Sequence, residues 1–140
     1  MTSRVLVAAL CFGFFAVASS PVGAQTSTIS VVLPVRAAAA QNRVLNAFVA
    51  NGLVVDQAQG PVVRSAPYRF NPATLLVLTA NLLEHDSTTT IILSGSFSTP
   101  SLGIKDEPLT ESTSHLKGQL WSFLVKVSRG ISPDSTRSAR

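Results

Sequence analysis

Two stretches of the chain repeat apolar residues every three to four positions, and two others alternate them every second position. Between Arg36 and Asn51, residues Ala37, Ala40, Val44, Leu45, Ala47 and Phe48 fall on one side of a helical projection. Asn42, Arg43 and Asn46 fall on the other, which predicts an amphipathic helix. Asn51-Gly52 supplies the left-handed stop expected at its end. Residues 114–129 predict a second helix, with Leu116, Leu120, Phe123, Leu124 and Val127 (and Ile131, if it runs on) as a core-facing stripe. Gly130 and Pro133 are its expected stop.

The alternating stretches are residues 73–84 and 88–98. The first carries Leu76, Leu78, Ala80 and Leu82 on one face, and the second carries Ile91, Leu93, Gly95 and Phe97. Folding them at Asp86-Ser87 pairs Leu82 with Ile91 and Leu76 with Phe97, so the two apolar faces agree in phase, as a pleated sheet demands. A helix over 73–84 is the alternative, but the β-branched run Thr88-Thr89-Thr90-Ile91-Ile92 favours strand pairing. Three shorter β-rich runs precede them: Ile29 to Val35, Leu53 to Asp56, and Pro61 to Arg64. Gln57 to Gly60 is the expected turn between the last two, Ala66-Pro67 ends the third, and Asn71-Pro72 marks another turn. Residues 98–113 read as a long polar loop. The order β-α-β-β-β-β-α predicts an α+β two-layer sandwich, a mainly antiparallel sheet with both helices on the face bearing Leu76, Leu78, Leu82, Ile91 and Phe97.

The start of the chain reads differently. Arg4, an uncharged run from Val5 to Ala18, Pro21 and the small residues of Val22-Gly23-Ala24 have the form of a cleavable signal peptide. The run is short of the about 20 apolar residues of a membrane-spanning helix. The expected division is a signal peptide over 1–24, one domain over 25–131 and a disordered tail over 132–140. Cys11 is the chain's single cysteine and leaves with the signal, so the domain is expected to have neither a disulfide nor a thiol nucleophile. The expected location is periplasmic or secreted, with no transmembrane helix after cleavage. Removing Arg4 leaves ten basic against seven acidic residues, a net +3 against +4 for the whole chain. The bases are scattered singly, which argues against nucleic-acid binding, where a concentrated basic face is the rule.

The run Val49-Ala50-Asn51-Gly52-Leu53-Val54-Val55-Asp56, followed by Gly60-Pro61-Val62-Val63-Arg64-Ser65, resembles the helix–Gly–strand–turn–strand opening of small bacterial envelope domains. Among these are the α/β sandwiches of outer-membrane assembly lipoproteins. The resemblance implies a fold and not an activity, and Cys11, inside the apolar run, is a poor lipidation site.

Catalytic chemistry finds little purchase. Glu84-His85-Asp86 is the most polar cluster, but strand neighbours point to opposite faces and do not converge. His115 stands beside Ser112, Thr113 and Ser114, where helix capping is the ordinary explanation. No Gly-x-Ser-x-Gly elbow or phosphate loop is present, and no metal ligand set or cofactor is expected. The candidate binding residues are Leu75, Val77, Leu83 and Ile92 on the outer face of the hairpin, together with Trp121 and Val125, off the main stripe of the last helix. The expected function is a noncatalytic exported binding module that contacts an envelope protein or a small apolar ligand. Self-association is a further option. A cofactor-free secreted hydrolase and a membrane-surface protein are the alternatives.

Overall fold

The computed structural model describes residues 27–132. The expectations for the signal peptide and the tail beyond Ser132 lie outside the described residues. The elements are β1 (Ile29–Leu33), α1 (Ala37–Ala50), β2 (Val55–Gln59), β3 (Val62–Ser65), β4 (Tyr68–Asn71), β5 (Thr74–His85), β6 (Thr88–Thr99), β7 (Ile104–Pro108) and α2 (His115–Ile131), with a short 3-10 turn at Pro100–Leu102. All strand pairs are antiparallel, and the sheet follows the order β1-β6-β5-β3-β2, with β4 also on β5 and β7 also on β6. Both helices pack on one face of this sheet. The molecule is the expected α+β sandwich.

The hairpin β5–β6 is its spine. Its register pairs Leu82 with Ile91 and Leu76 with Phe97, and Asp86 turns the chain with φ 57. An aspartate tolerates that left-handed conformation better than most residues. Leu76, Leu78, Ala80, Leu82, Ile91, Leu93 and Phe97 are buried on the helix side. They meet Ala40, Val44, Ala47 and Phe48 of α1 and Leu120, Leu124, Val127 and Ile131 of α2. Burying each of the valines, leucines, isoleucines and phenylalanines among them contributes about 1.5–3 kcal/mol.

Each arm of the spine is twelve residues long and is flanked by two short strands in succession. On the β5 side, β3 pairs with residues 79–81 and β4 with residues 74–76. On the β6 side, β1 pairs with residues 89–93 and β7 with residues 96–99. The changeover leaves a gap at the cross-strand pair Leu78–Gly95. The Leu78 amide donates to Ser65 Oγ at 2.9 Å, and the Gly95 carbonyl accepts from the Leu109 amide at 2.9 Å. A buried backbone polar group needs such a partner.

Four sequence expectations need correction. Residues 68–71 form strand β4, which pairs with β5 across Pro72-Ala73 and sets Tyr68 and Phe70 against Phe123 of α2. The loop 98–113 contains strand β7, and Leu109 within it is a fully buried core residue. Strand β2 runs to Gln59 with a bulge between Val55 and Gln57, so the turn tightens to Gly60-Pro61, where Gly60 has φ 60. Gly130 lies inside α2 rather than ending it. A Cβ there would be 3.4 Å from Ala47 Cβ, an ordinary contact, so the two helices lie close here without requiring the glycine.

Candidate functional site

With both helices on one side, the opposite face of the sheet carries no covering element among the described residues. Its composition follows from strand alternation. Residues that do not point at the helices must point away from them. The register sorts them into rows that cross the sheet. Val32, Thr90 and Leu83 form one, and Ser30, Ile92, Asn81, Val62 and Gln59 form the next. Ser94, Thr79, Arg64 and Gln57 follow, then Pro108, Ser96 and Val77, then Ser98, Leu75 and Arg69. The four sheet residues expected to lie together, Leu75, Val77, Leu83 and Ile92, do share this face. Leu83 is 54% exposed, and the other three are half-buried by their neighbours.

Sequence reasoning missed the rest of the surface. Val32, 62% exposed, and Val62 extend its apolar part, and Arg64 sits near its middle. Strand β3 joins β5 through a pairing that no local pattern announces. The placement of Arg64 opposite Thr79 therefore had no signal in the sequence. The rows contain two guanidinium groups, Arg64 and Arg69, and Asp56 lies at the bulge beside Gln57, the partner of Arg64. The face is partly apolar, and at its Leu75–Arg69 end lies a groove of about 370 Å³ walled also by Pro72, Ala73, Pro100 and Ser101.

Trp121 and Val125 are not part of it. Both lie on α2, in the opposite layer. Trp121 packs against the edge of the core and walls an open groove of about 500 Å³ with Glu111, Ser112, Thr113, Gly118 and Ser122. A second open groove of about 670 Å³ shares Ser112, Thr113, Gly118 and Ser122 and adds Phe70, Ser114, His115 and Gln119. A Cβ at Gly118 would be 3.0 Å from the Ser112 carbonyl oxygen, so the small residue lets the loop lie on the helix. The side chain of Ser114, the N-cap residue, does not cap the helix. Ser112 Oγ instead meets both the amide and the hydroxyl of Ser114 at 3.1 Å.

The polar residues considered for catalysis separate as strand alternation requires. Glu84 turns to Arg36, with 3.6 Å between their charged groups, while His85 lies 3.5 Å from Asp86 at the hairpin tip. The His85 and Asp86 side chains are 89% and 87% exposed, so neither is desolvated or held against a nucleophile. His115 is exposed at the start of α2, on the other side of the sheet. Among the described residues, no three His, Cys, Asp or Glu side chains converge as metal ligands, and no helix is long and apolar enough to cross a membrane. No protein-family model matches the chain, and no curated protein matches it in sequence.

Proposed function

We propose that the protein is an exported, noncatalytic binding module of the cell envelope or periplasm, and that its outer sheet face docks on another protein. The observation that carries this reading is a seven-stranded sheet whose helices occupy one side only. The other side presents Val32, Leu83, Ile92, Val62, Val77 and Leu75 without a covering layer. Val32 and Leu83 are exposed and the other four half-buried, and contiguous apolar surface open to solvent marks interaction sites. The apolar residues spread over several rows of the sheet rather than lining one pocket, which favours a protein over a small apolar ligand, because small molecules are held in concave, mostly apolar pockets. The grooves beside α2 are open and largely hydroxyl-lined. Charge narrows the partner further. Arg64 is exposed on this face beside Thr79 and Gln57, and it fits a partner that places an acidic side chain among apolar ones.

The test compares proteins captured from envelope extract by the wild-type chain and by an Arg64→Glu/Leu83→Asp variant. Both changed side chains are exposed, so the variant should keep the wild-type melting temperature. A captured protein that is lost by this variant and retained by a control Lys126→Glu variant, on α2, supports the reading. Equal capture by all three chains refutes it.

A further inference from the structure

An antiparallel sheet that does not close leaves strand flanks with unpaired backbone groups, and natural proteins guard them with charges, prolines, bulges or cover. This sheet has four such flanks, one each on β1, β2, β4 and β7. Three are guarded. Strand β2 carries Asp56 at a bulge and ends at Gly60-Pro61. Strand β4 has Arg69 at a bulge and lies between Pro67 and Pro72. Strand β7 reads Ile-Lys-Asp-Glu-Pro and is also bulged. Strand β1 has neither charge nor bulge, and its one proline, Pro34, stands just beyond its end. It reads Ile-Ser-Val-Val-Leu, pairs with β6 in unbroken register over five residues, and receives no hydrogen bond from any described segment other than β6.

We infer that β1 pairs edge to edge with β1 of a second copy of the chain, antiparallel about a two-fold axis at Val31, so that two sheets become one. The segment is self-complementary in that register. Ile29 faces the second copy's Leu33, and Val31 faces its own counterpart, all three on the helix side. Ser30 faces the second copy's Val32 on the outer side, so alternation is preserved and no charges of like sign are opposed. Pro34, without an amide hydrogen, sets the limit of the ladder at each end. Val32, which is 62% exposed in one copy, gains a neighbour. The row Leu83–Thr90–Val32 then continues into Ser30–Ile92–Asn81 of the second copy, which extends the outer face across the axis. This pairing uses the sheet edge and does not depend on what docks on the face.

The register makes the test specific. In the full chain with Cys11→Ser, single Ser30→Cys and Val32→Cys variants change exposed side chains and leave the core intact. Mixed and oxidised, they should form a disulfide-linked heterodimer. Either variant alone should crosslink poorly, because identical positions sit out of register and beyond disulfide reach. In sedimentation velocity, the wild type should dimerise with concentration, and Ser30→Lys/Val32→Lys should be monomeric. Ser30→Lys/Val32→Glu should dimerise again, because each ammonium faces the other copy's carboxylate. A wild type that is monomeric at every attainable concentration overturns the inference. So does a dimer that ignores both charge variants and crosslinks without preference, since another surface then forms it. Either outcome leaves the Arg64→Glu/Leu83→Asp capture experiment free to succeed or fail separately.

Discussion

Gly95 faces Leu78 across the hairpin, and a methyl group added there would lie 2.7 Å from Leu78 Cδ2, 2.9 Å from Leu109 Cδ1 and 3.1 Å from the Val77 carbonyl oxygen. The leucine tips can shift, but they stand in a packed core and the carbonyl belongs to the ladder. Gly95→Ala should therefore destabilise the fold by about 1–3 kcal/mol, through overpacking. Leu109→Ala should cost about 2–5 kcal/mol by opening a cavity. The double variant should lose less than the sum, because the added methyl moves into the space Leu109 vacates. Urea denaturation of the three variants measures that coupling, and strict additivity would contradict the packing described.

At the scale of elements, the spine depends on small polar repairs where one flanking strand hands over to the next. Ser65 is 1% exposed and accepts the Leu78 amide that neither β3 nor β4 reaches. Ser65→Ala should cost about 1–3 kcal/mol, the penalty of a buried donor left unpaired. Hydrogen exchange should show faster loss of the Leu78 amide proton than of its neighbours. The two glycines of α2 should respond in opposite ways. Replacing Gly130 by alanine meets Ala47 Cβ at an ordinary contact distance of 3.4 Å and should stabilise the helix by up to about 1 kcal/mol. The same change at Gly118 presses on the Ser112 carbonyl oxygen at 3.0 Å and should forfeit that gain. Thermal melts of the two variants separate these outcomes.

Across the whole molecule, the division into a packed face and an open face rests on a one-residue alternation. Leu82 is 4% exposed beneath the helices, and Leu83, its neighbour, is 54% exposed on the outer side. Leu83→Asp should change stability by no more than about 0.5 kcal/mol, as surface substitutions do. Leu82→Asp buries a carboxylate without a partner and should abolish cooperative folding. Circular dichroism melts of the pair check the assignment of faces before any partner is sought, and a reversed order of stabilities would place the proposed docking surface on the wrong side.

The alternation of residues 73–98 by itself determined the register of the spine, because a hairpin with a two-residue turn leaves one phase in which both apolar faces coincide. The periodicity of 36–51 and 114–129 determined both helices and the faces they bury, since each stripe is local and strongly amphipathic. It was enough to place Leu75, Val77, Leu83 and Ile92 together on the outer face, and Trp121 and Val125 on a helix of the other layer. Tertiary structure alone decided the rest. Tyr68 and Phe70 of β4 meet Phe123, and Leu109, just past β7, packs at Gly95. Arg64 enters the outer face only through the pairing of β3 with β5. These partners are distant in sequence and too short to carry a period of their own, so only the closing of the sheet brings them together.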